Sequence, residues 1–112
     1  MTRTQKPWGY FEQFTNNLES TVKLLYIKEG ASLSLQTHKE RDELWYIIEG
    51  EGVAILEEEL HELFPGDSFY VPKGKKHRYT AKTDTRILEI STGYFDETDI
   101  ERFEDKYGRV KK

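Results

Sequence analysis

The stretch GASLSLQTHKERDELWYIIEG, residues 30–50, reads as two short strands joined by a charged turn. Side chains alternate between the two faces of a strand, so Gln36 and His38 share one face while the leucines of the first strand share the other. The second strand begins at Glu43, and a tight turn before it can bring this carboxylate beside His38. The stretch therefore places three potential metal ligands close together.

A second stretch, PGDSFYVPKGKKHRY, supplies a fourth candidate ligand, His77. Gly66 marks one turn, Pro72 and Gly74 mark another, and His77 begins the strand that follows. Two imidazole nitrogens, one carboxylate and one amide oxygen suit Zn²⁺, Co²⁺, Ni²⁺, Mn²⁺ or Fe²⁺ and leave positions open for water or substrate. Spacing alone leaves an alternative, in which all four residues are ordinary surface polar groups.

The rest of the chain predicts an all-β fold. From Thr21 onward, eight short runs rich in Val, Ile, Leu, Tyr and Thr are separated by glycine and proline turns, a pattern typical of a sandwich or a closed barrel. Near the end, Ile100, Phe103 and Tyr107 recur at helical spacing, and Gly108 can end a helix. The sequence thus predicts a short C-terminal helix.

Composition sets the class of protein. With 112 residues the chain fits one domain, divided here into an aromatic arm (1–20), a β-barrel (21–95) and a helix with its tail (96–112). The absence of cysteine excludes thiolate ligands and nucleophiles. A net charge of −4 and a pI near 5.4 disfavour nucleic-acid binding. No apolar run is long enough for a membrane span or a signal peptide, which predicts a cytoplasmic protein.

The spacing of nine residues resembles the paired signature motifs of the cupin superfamily. These residues are Gly30, Gln36, His38, Glu43, Gly50, Gly66, Pro72, Gly74 and His77. The resemblance implies a jelly-roll barrel, also called a double-stranded β-helix, that holds a metal ion in its mouth. Gln36, His38, Glu43 and His77 then stand at the ligand positions.

Flanking segments narrow the resemblance to the type II phosphomannose isomerase domain, here in a stand-alone form. KPWGYFEQF near the start and GYFDETDIERFEDKYGR near the end are similar to that domain, and the likeness runs from Pro7 to Arg109. It implies interconversion of mannose 6-phosphate and fructose 6-phosphate with a divalent metal, zinc being the first expectation. Two positions depart from the family pattern: Leu44 replaces a usual histidine and Ala81 a usual asparagine.

The sugar phosphate expected as substrate needs cationic partners. The basic patch around His77 offers four of them, Lys73, Lys75, Lys76 and Arg78, although a charged turn of this kind can also be merely solvated. Arg41 and Arg109 are the predicted catalytic residues, because a guanidinium binds a phosphate or an enediolate through two hydrogen bonds. Arg109 is expected to reach the pocket from the C-terminal helix, or otherwise to cap that helix.

Two other functions stay open at this point. One is a non-catalytic module that binds a sugar or sugar nucleotide, which the departures at Leu44 and Ala81 favour; the other is a metal-dependent dioxygenase. We also expect a homodimer in which the aromatic arm, from Trp8 to Phe14, docks on the neighbouring chain. A small-molecule sugar phosphate is the expected ligand, with no nucleic-acid or membrane partner.

Overall fold

The chain folds into two antiparallel β-sheets that pack face to face, with a separate hairpin at the N-terminus. The structure is a computed structural model that describes residues 1–110. This part of the chain has eleven strands and no helix that could cross a membrane. The strands are β1 (Thr2–Lys6), β2 (Gly9–Gln13), β3 (Ser20–Ile27), β4 (Leu35–Thr37), β5 (Arg41–Glu49), β6 (Gly52–Leu56), β7 (Glu59–Leu63), β8 (Ser68–Val71), β9 (His77–Ala81), β10 (Thr85–Gly93) and β11 (Glu101–Glu104).

The first sheet has the strand order β3-β10-β5-β8 and carries Glu43, one of the three residues of the candidate metal cluster described below. Along β5, Arg41, Glu43, Trp45 and Ile47 are buried, and the residues between them are more exposed. This period-two pattern turns one face of the strand into the interior. The buried face therefore changes from charged at Arg41 to apolar at Ile47, which places a polar site at one end of the core.

The second sheet has the order β11-β4-β9-β6-β7 and closes the core from the other side. Trp45 of the first sheet and Tyr79 of the second are both fully buried, and their rings meet edge to face with centroids 6.2 Å apart. Tyr79 also shares a 3.1 Å hydrogen bond with the Thr85 hydroxyl. Since truncating a buried aromatic costs about 3–5 kcal/mol, these rings are a main link between the sheets. The all-β prediction is confirmed.

The predicted C-terminal helix is wrong. Residues 101–104 form β11, which pairs antiparallel with β4 so that Arg102 lies opposite Gln36. β4 is only three residues long and would be an open edge without this partner. The pairing of β11 with β4 satisfies backbone hydrogen-bonding groups on both strands. This stabilisation outweighs the weak preference for a helix that the spacing of the three apolar residues gives. The sheet thus extends past the boundary at residue 95 that the sequence suggested.

The N-terminal arm contains a β-hairpin, β1 paired with β2. Its aromatic residues divide into two groups. Phe14 packs edge-on against Tyr46 of the first sheet at 5.2 Å, whereas Trp8 at the turn is 73% exposed and Tyr10 47%. The base of the hairpin is thus docked on its own chain, while its tip is left uncovered.

Candidate metal centre

The two strand-edge histidines and Glu43 meet at the polar end of the core. His38 directly follows β4, and His77 begins β9, where the register places it opposite Gln36. Glu43 comes from β5 in the facing sheet. His38, Glu43 and His77 are all at least 97% buried, with exposures of 3%, 2% and 1%. The two sheets together therefore enclose a cluster built from both sequence motifs.

Glu43 bridges the two imidazoles. Its Oε2 lies 3.2 Å from Nε2 of His38, and its Oε1 lies 3.7 Å from Nε2 of His77. One donor atom from each residue can be chosen so that all three lie within 4.8 Å of one another. The 3.2 and 3.7 Å separations match those of ligands around one divalent cation, because bonds to Zn²⁺ of about 2.0–2.2 Å put neighbouring donor atoms about 3–4 Å apart.

Backbone carbonyl groups fix the orientation of both imidazoles. Nδ1 of His38 lies 2.7 Å from the Asp99 carbonyl oxygen, and Nδ1 of His77 lies 2.9 Å from the Lys75 carbonyl oxygen. A carbonyl only accepts hydrogen bonds, so each Nδ1 must carry the proton and donate it. In a neutral ring with this tautomer Nε2 carries the lone pair, which is the form in which histidine binds metals, and each Nε2 lies within 3.7 Å of a Glu43 oxygen.

The donor set fits a divalent cation. Nε2 of His77 is buried and has no hydrogen-bond partner within residues 1–110, and the same is true of the Ser91 hydroxyl, which lies opposite Glu43 in the register. A buried polar atom without a partner costs about 1–3 kcal/mol, so these atoms indicate a ligand. Burial lowers the pKa of His77, against the opposing effect of Glu43, and this keeps the ring in its neutral, metal-binding form.

Gln36, the fourth predicted ligand, lies beside the cluster. Its amide nitrogen is 3.3 Å from Nε2 of His38, and its amide oxygen accepts a 2.6 Å hydrogen bond from the Ser34 hydroxyl. The oxygen, which is the atom able to bind a metal, faces Ser34 in this arrangement. The structure thus brings Gln36 next to the other three residues, and its role as a ligand stays a prediction.

Arg41 is buried beside the cluster and makes several contacts there. Its Nε donates to Oε2 of Glu43 at 3.3 Å, its Nη1 donates to the Asp96 carbonyl at 3.1 Å, and its Nη2 lies 3.4 Å from Nε2 of His38. The guanidinium also lies 4.5 Å from the centre of the Phe95 ring. This places the predicted catalytic arginine at the site, where its positive charge balances Glu43.

The basic patch around His77 lies on the surface and against β11. Lys73 and Lys75 are exposed turn residues. Lys76 and Arg78, on either side of His77, contact residues of β11. Lys76 stacks on Phe103 at 4.4 Å, and Arg78 pairs with Glu104 at 3.0 Å. Substrate binding by these four residues is untested and remains a prediction.

Arg109 does not reach the metal cluster. With the helix absent, it lies in the exposed C-terminal segment, where its guanidinium bonds Asp105 at 2.7 and 3.0 Å. The expected entry of Arg109 into the pocket depended on that helix. Its predicted catalytic role would therefore need a different arrangement of residues 105–109 from the one observed.

Several residues at the site were not predicted from the sequence. Segment 94–99 covers the cluster, and its Asp99 carboxylate accepts hydrogen bonds from the Lys39 and Glu40 amides at 2.9 Å. On β10, Glu89 and Ser91 are buried and face inward. The alternation of side chains in TRILEIST, residues 85–92, could have placed Glu89 and Ser91 on the same face as Ile87. No sequence signal linked that face to the histidines.

The facing antiparallel sheets and the buried His–Glu–His cluster between them define a cupin domain with a candidate metal centre. KdgF from Halomonas sp. shares the fold, with a TM-score of 0.64 and 22% identity over 74% of this chain and 76% of that one. The chain belongs to the family described as mannose-6-phosphate isomerase C-terminal, which matches residues 1–105.

Two curated relatives show where such a domain occurs. The alginate biosynthesis protein AlgA of Pseudomonas putida is 38% identical over 108 residues, and the xanthan biosynthesis protein XanB of Xanthomonas campestris is 36% identical over 111. The matches cover 94% and 96% of this chain but only 22% and 24% of those proteins. The chain therefore spans about a quarter of the length of these relatives.

Proposed function

We propose that the chain is a metal-dependent isomerase that interconverts mannose 6-phosphate and fructose 6-phosphate. The observation that carries this proposal is the buried cluster of His38, Glu43 and His77, whose two Nε2 atoms face one carboxylate. Membership of the mannose-6-phosphate isomerase C-terminal family supports the choice of substrate. The names of AlgA and XanB support a place in polysaccharide biosynthesis.

The proposed reaction moves a carbonyl group from C1 to C2 of the sugar. A proton must leave the carbon beside the carbonyl, and the resulting enediol carries negative charge on its oxygens. A divalent cation, when bound, supplies Lewis-acid stabilisation of those oxygens. His38 and His77 would hold it as neutral ligands and Glu43 as the one anionic ligand, while buried Arg41 adds a positive charge next to Glu43.

The two departures from the family pattern lie outside the cluster. Leu44 alternates away from Glu43 onto the opposite face of β5, where it pairs with Tyr70 of β8. Ala81 is part of the apolar core at the far end of β9 from His77. Because neither side chain belongs to the ligand set, we favour the isomerase over a non-catalytic sugar-binding module, which is the second candidate.

A coupled assay separates the candidates. Purified protein is mixed with mannose 6-phosphate and each of Zn²⁺, Co²⁺, Ni²⁺, Mn²⁺ and Fe²⁺, and fructose 6-phosphate formation is followed. Turnover that a chelator abolishes and added metal restores is the expected result. Binding of the sugar phosphate without turnover under every metal would contradict the isomerase and favour the module, and consumption of oxygen would indicate a dioxygenase.

We also propose that the chain forms a homodimer through its hairpin. Trp8 is 73% exposed and Phe11 38%, and the outer face of β3 exposes Leu24 at 48% and Tyr26 at 68%. Exposed apolar surfaces of this kind are typical of interfaces, and the hairpin of one copy can cover β3 of the other.

Light scattering tests this association. We expect about twice the 13.3 kDa chain mass for the wild type and a shift toward the monomer for the double variant Trp8→Ser and Phe11→Ser. Leu60→Ser is the matched control, because Leu60 is equally exposed, at 71%, but lies on β7 of the other sheet. A wild-type mass of one chain at about 100 µM would rule the dimer out.

A further inference from the structure

Glu89 is a buried carboxyl group that the metal cluster does not use. It lies in the middle of β10 and is 8% exposed. In the register it faces Trp45 of β5 on one side and Lys23 of β3 on the other. Lys23 directs its own hydrogen bond to Glu97, at 2.9 Å, rather than to Glu89. A carboxyl group is costly to bury, so its presence in the interior needs a chemical reason.

The position of Glu89 is next to the metal cluster. Ser91, two residues along β10 on the same face, lies directly opposite Glu43. Diagonal neighbours on an antiparallel pair are about 7–8 Å apart, so Glu89 and Glu43 line adjacent positions of one interior surface. The Ser91 hydroxyl, next to both carboxyl groups on this surface, is buried and lacks a hydrogen-bond partner among residues 1–110. Glu89 therefore lies diagonal to a candidate metal ligand and next to a buried hydroxyl group that has no partner in the described chain.

The charges around Glu89 favour a carboxyl group that exchanges protons near neutral pH. Burial raises the pKa of Glu89 to about 7, and the negative charges of Glu43 and Glu97 act in the same direction. Lys23 and Arg41 oppose the shift. A group with a pKa near the working pH can accept a proton in one step and return it in the next.

We propose that Glu89 is the catalytic acid–base that carries a proton between C2 and C1 of the sugar phosphate, an inference that rests on the proposed isomerase function. In the aldose-to-ketose direction, the Glu89 carboxylate takes the C2 proton. The electron pair of that C–H bond forms the C1=C2 double bond, and O1 takes a proton from solvent. Glu89 then returns its proton to C1, while the O2 hydroxyl loses its proton and the C2 carbonyl forms.

The variant Glu89→Gln keeps the shape of the side chain and removes the exchangeable proton. We expect kcat to fall by about 10²–10⁴-fold, the usual contribution of a positioned acid–base, with KM and metal content unchanged. Glu89→Asp should restore part of the rate. The matched control is Glu49→Gln on the neighbouring strand β5. The Glu49 carboxylate is exposed and pairs with Arg86, so this substitution should leave the rate unaffected.

A second readout does not depend on turnover. NMR titration of protein labelled with ¹³C at the glutamate carboxyl carbons should show one group titrating near pH 7 that disappears in Glu89→Gln. An active wild type whose Glu89 titrates near 4.5, or a Glu89→Gln variant with the wild-type kcat, would overturn the acid–base role alone. A wild type that isomerises nothing with any metal, while Glu89 titrates near 7, would overturn the proposed function and this inference together.

Discussion

Substituting His77 by alanine is expected to lower the affinity for a divalent metal by at least about 100-fold. His77 supplies one of only two imidazoles in the cluster, and its Nε2 is the buried atom that lacks a partner within the described chain. Changes to residues that merely orient a ligand already cost 10–100-fold in affinity, so removing the ligand itself must cost at least as much. Competition with a chelating dye measures the loss directly.

Thermal or urea unfolding provides an independent measure of the same loss. At a metal concentration of 100 times the wild-type Kd, binding stabilises the wild type by about 2.7 kcal/mol. A 100-fold weaker site gains only about 0.4 kcal/mol at that concentration, because stabilisation follows RT ln(1 + [L]/Kd). His77→Ala should therefore lose nearly all metal-dependent stabilisation.

The third histidine is the control for this experiment. His61 lies on edge strand β7, is partly exposed, and pairs with Glu59 at 3.1 Å. His61→Ala should bind metal as the wild type does. Equal metal affinity for the wild type and His77→Ala would show that the cluster is not the metal site, and equal losses in both variants would indicate nonspecific binding by histidine.

The candidate metal cluster could be predicted because local rules fix the face of each residue and the resemblance to the cupin motifs implies that the two stretches meet. Alternation in β5 fixes which face Glu43 takes, and the turns at Gly66 and Gly74 fix where His77 begins its strand. Their spacing in sequence therefore carries information about their spacing in space. The prediction that His38, Glu43 and His77 meet agrees with the 4.8 Å cluster.

The C-terminal segment could not be predicted in the same way. Three apolar residues over eight positions fit one face of a short helix, but they do not show which strand edge is open elsewhere in the fold. Pairing of β11 with β4 is a long-range contact between residues about 65 positions apart. The cap over the site at residues 94–99 depends on that pairing, which explains why its contacts with His38 and Arg41 were missed.

A single carboxylate holds the described site together. Glu43 faces both imidazoles, accepts a hydrogen bond from Trp45 Nε1 at 3.1 Å and from Arg41 Nε at 3.3 Å, and is almost fully buried. A buried negative charge is stable only when it is paired and hydrogen-bonded. Arg41 and a bound cation would both balance the charge of Glu43. The contribution of Arg41 to the free energy of unfolding should therefore depend on whether metal is bound.

Replacing Arg41 by methionine is therefore expected to destabilise the metal-free protein by about 3–5 kcal/mol, the usual effect of leaving one member of a buried ion pair without its partner. Methionine keeps much of the side-chain volume, so the loss reports charge rather than packing. With saturating Zn²⁺ the penalty should shrink, because the cation then balances Glu43. Urea unfolding of both proteins, with chelator and with metal, measures the two values.

An exposed ion pair in the same sheet separates this effect from the general loss of an arginine. Arg86 pairs with Glu49 at 2.9 Å, but both side chains are largely open to solvent, at 43% and 60% exposure. Arg86→Met should cost no more than about 1 kcal/mol and should not respond to metal. If both variants lose the same stability without metal, or if Zn²⁺ leaves the Arg41→Met penalty unchanged, Glu43 is not the shared partner of the arginine and the cation.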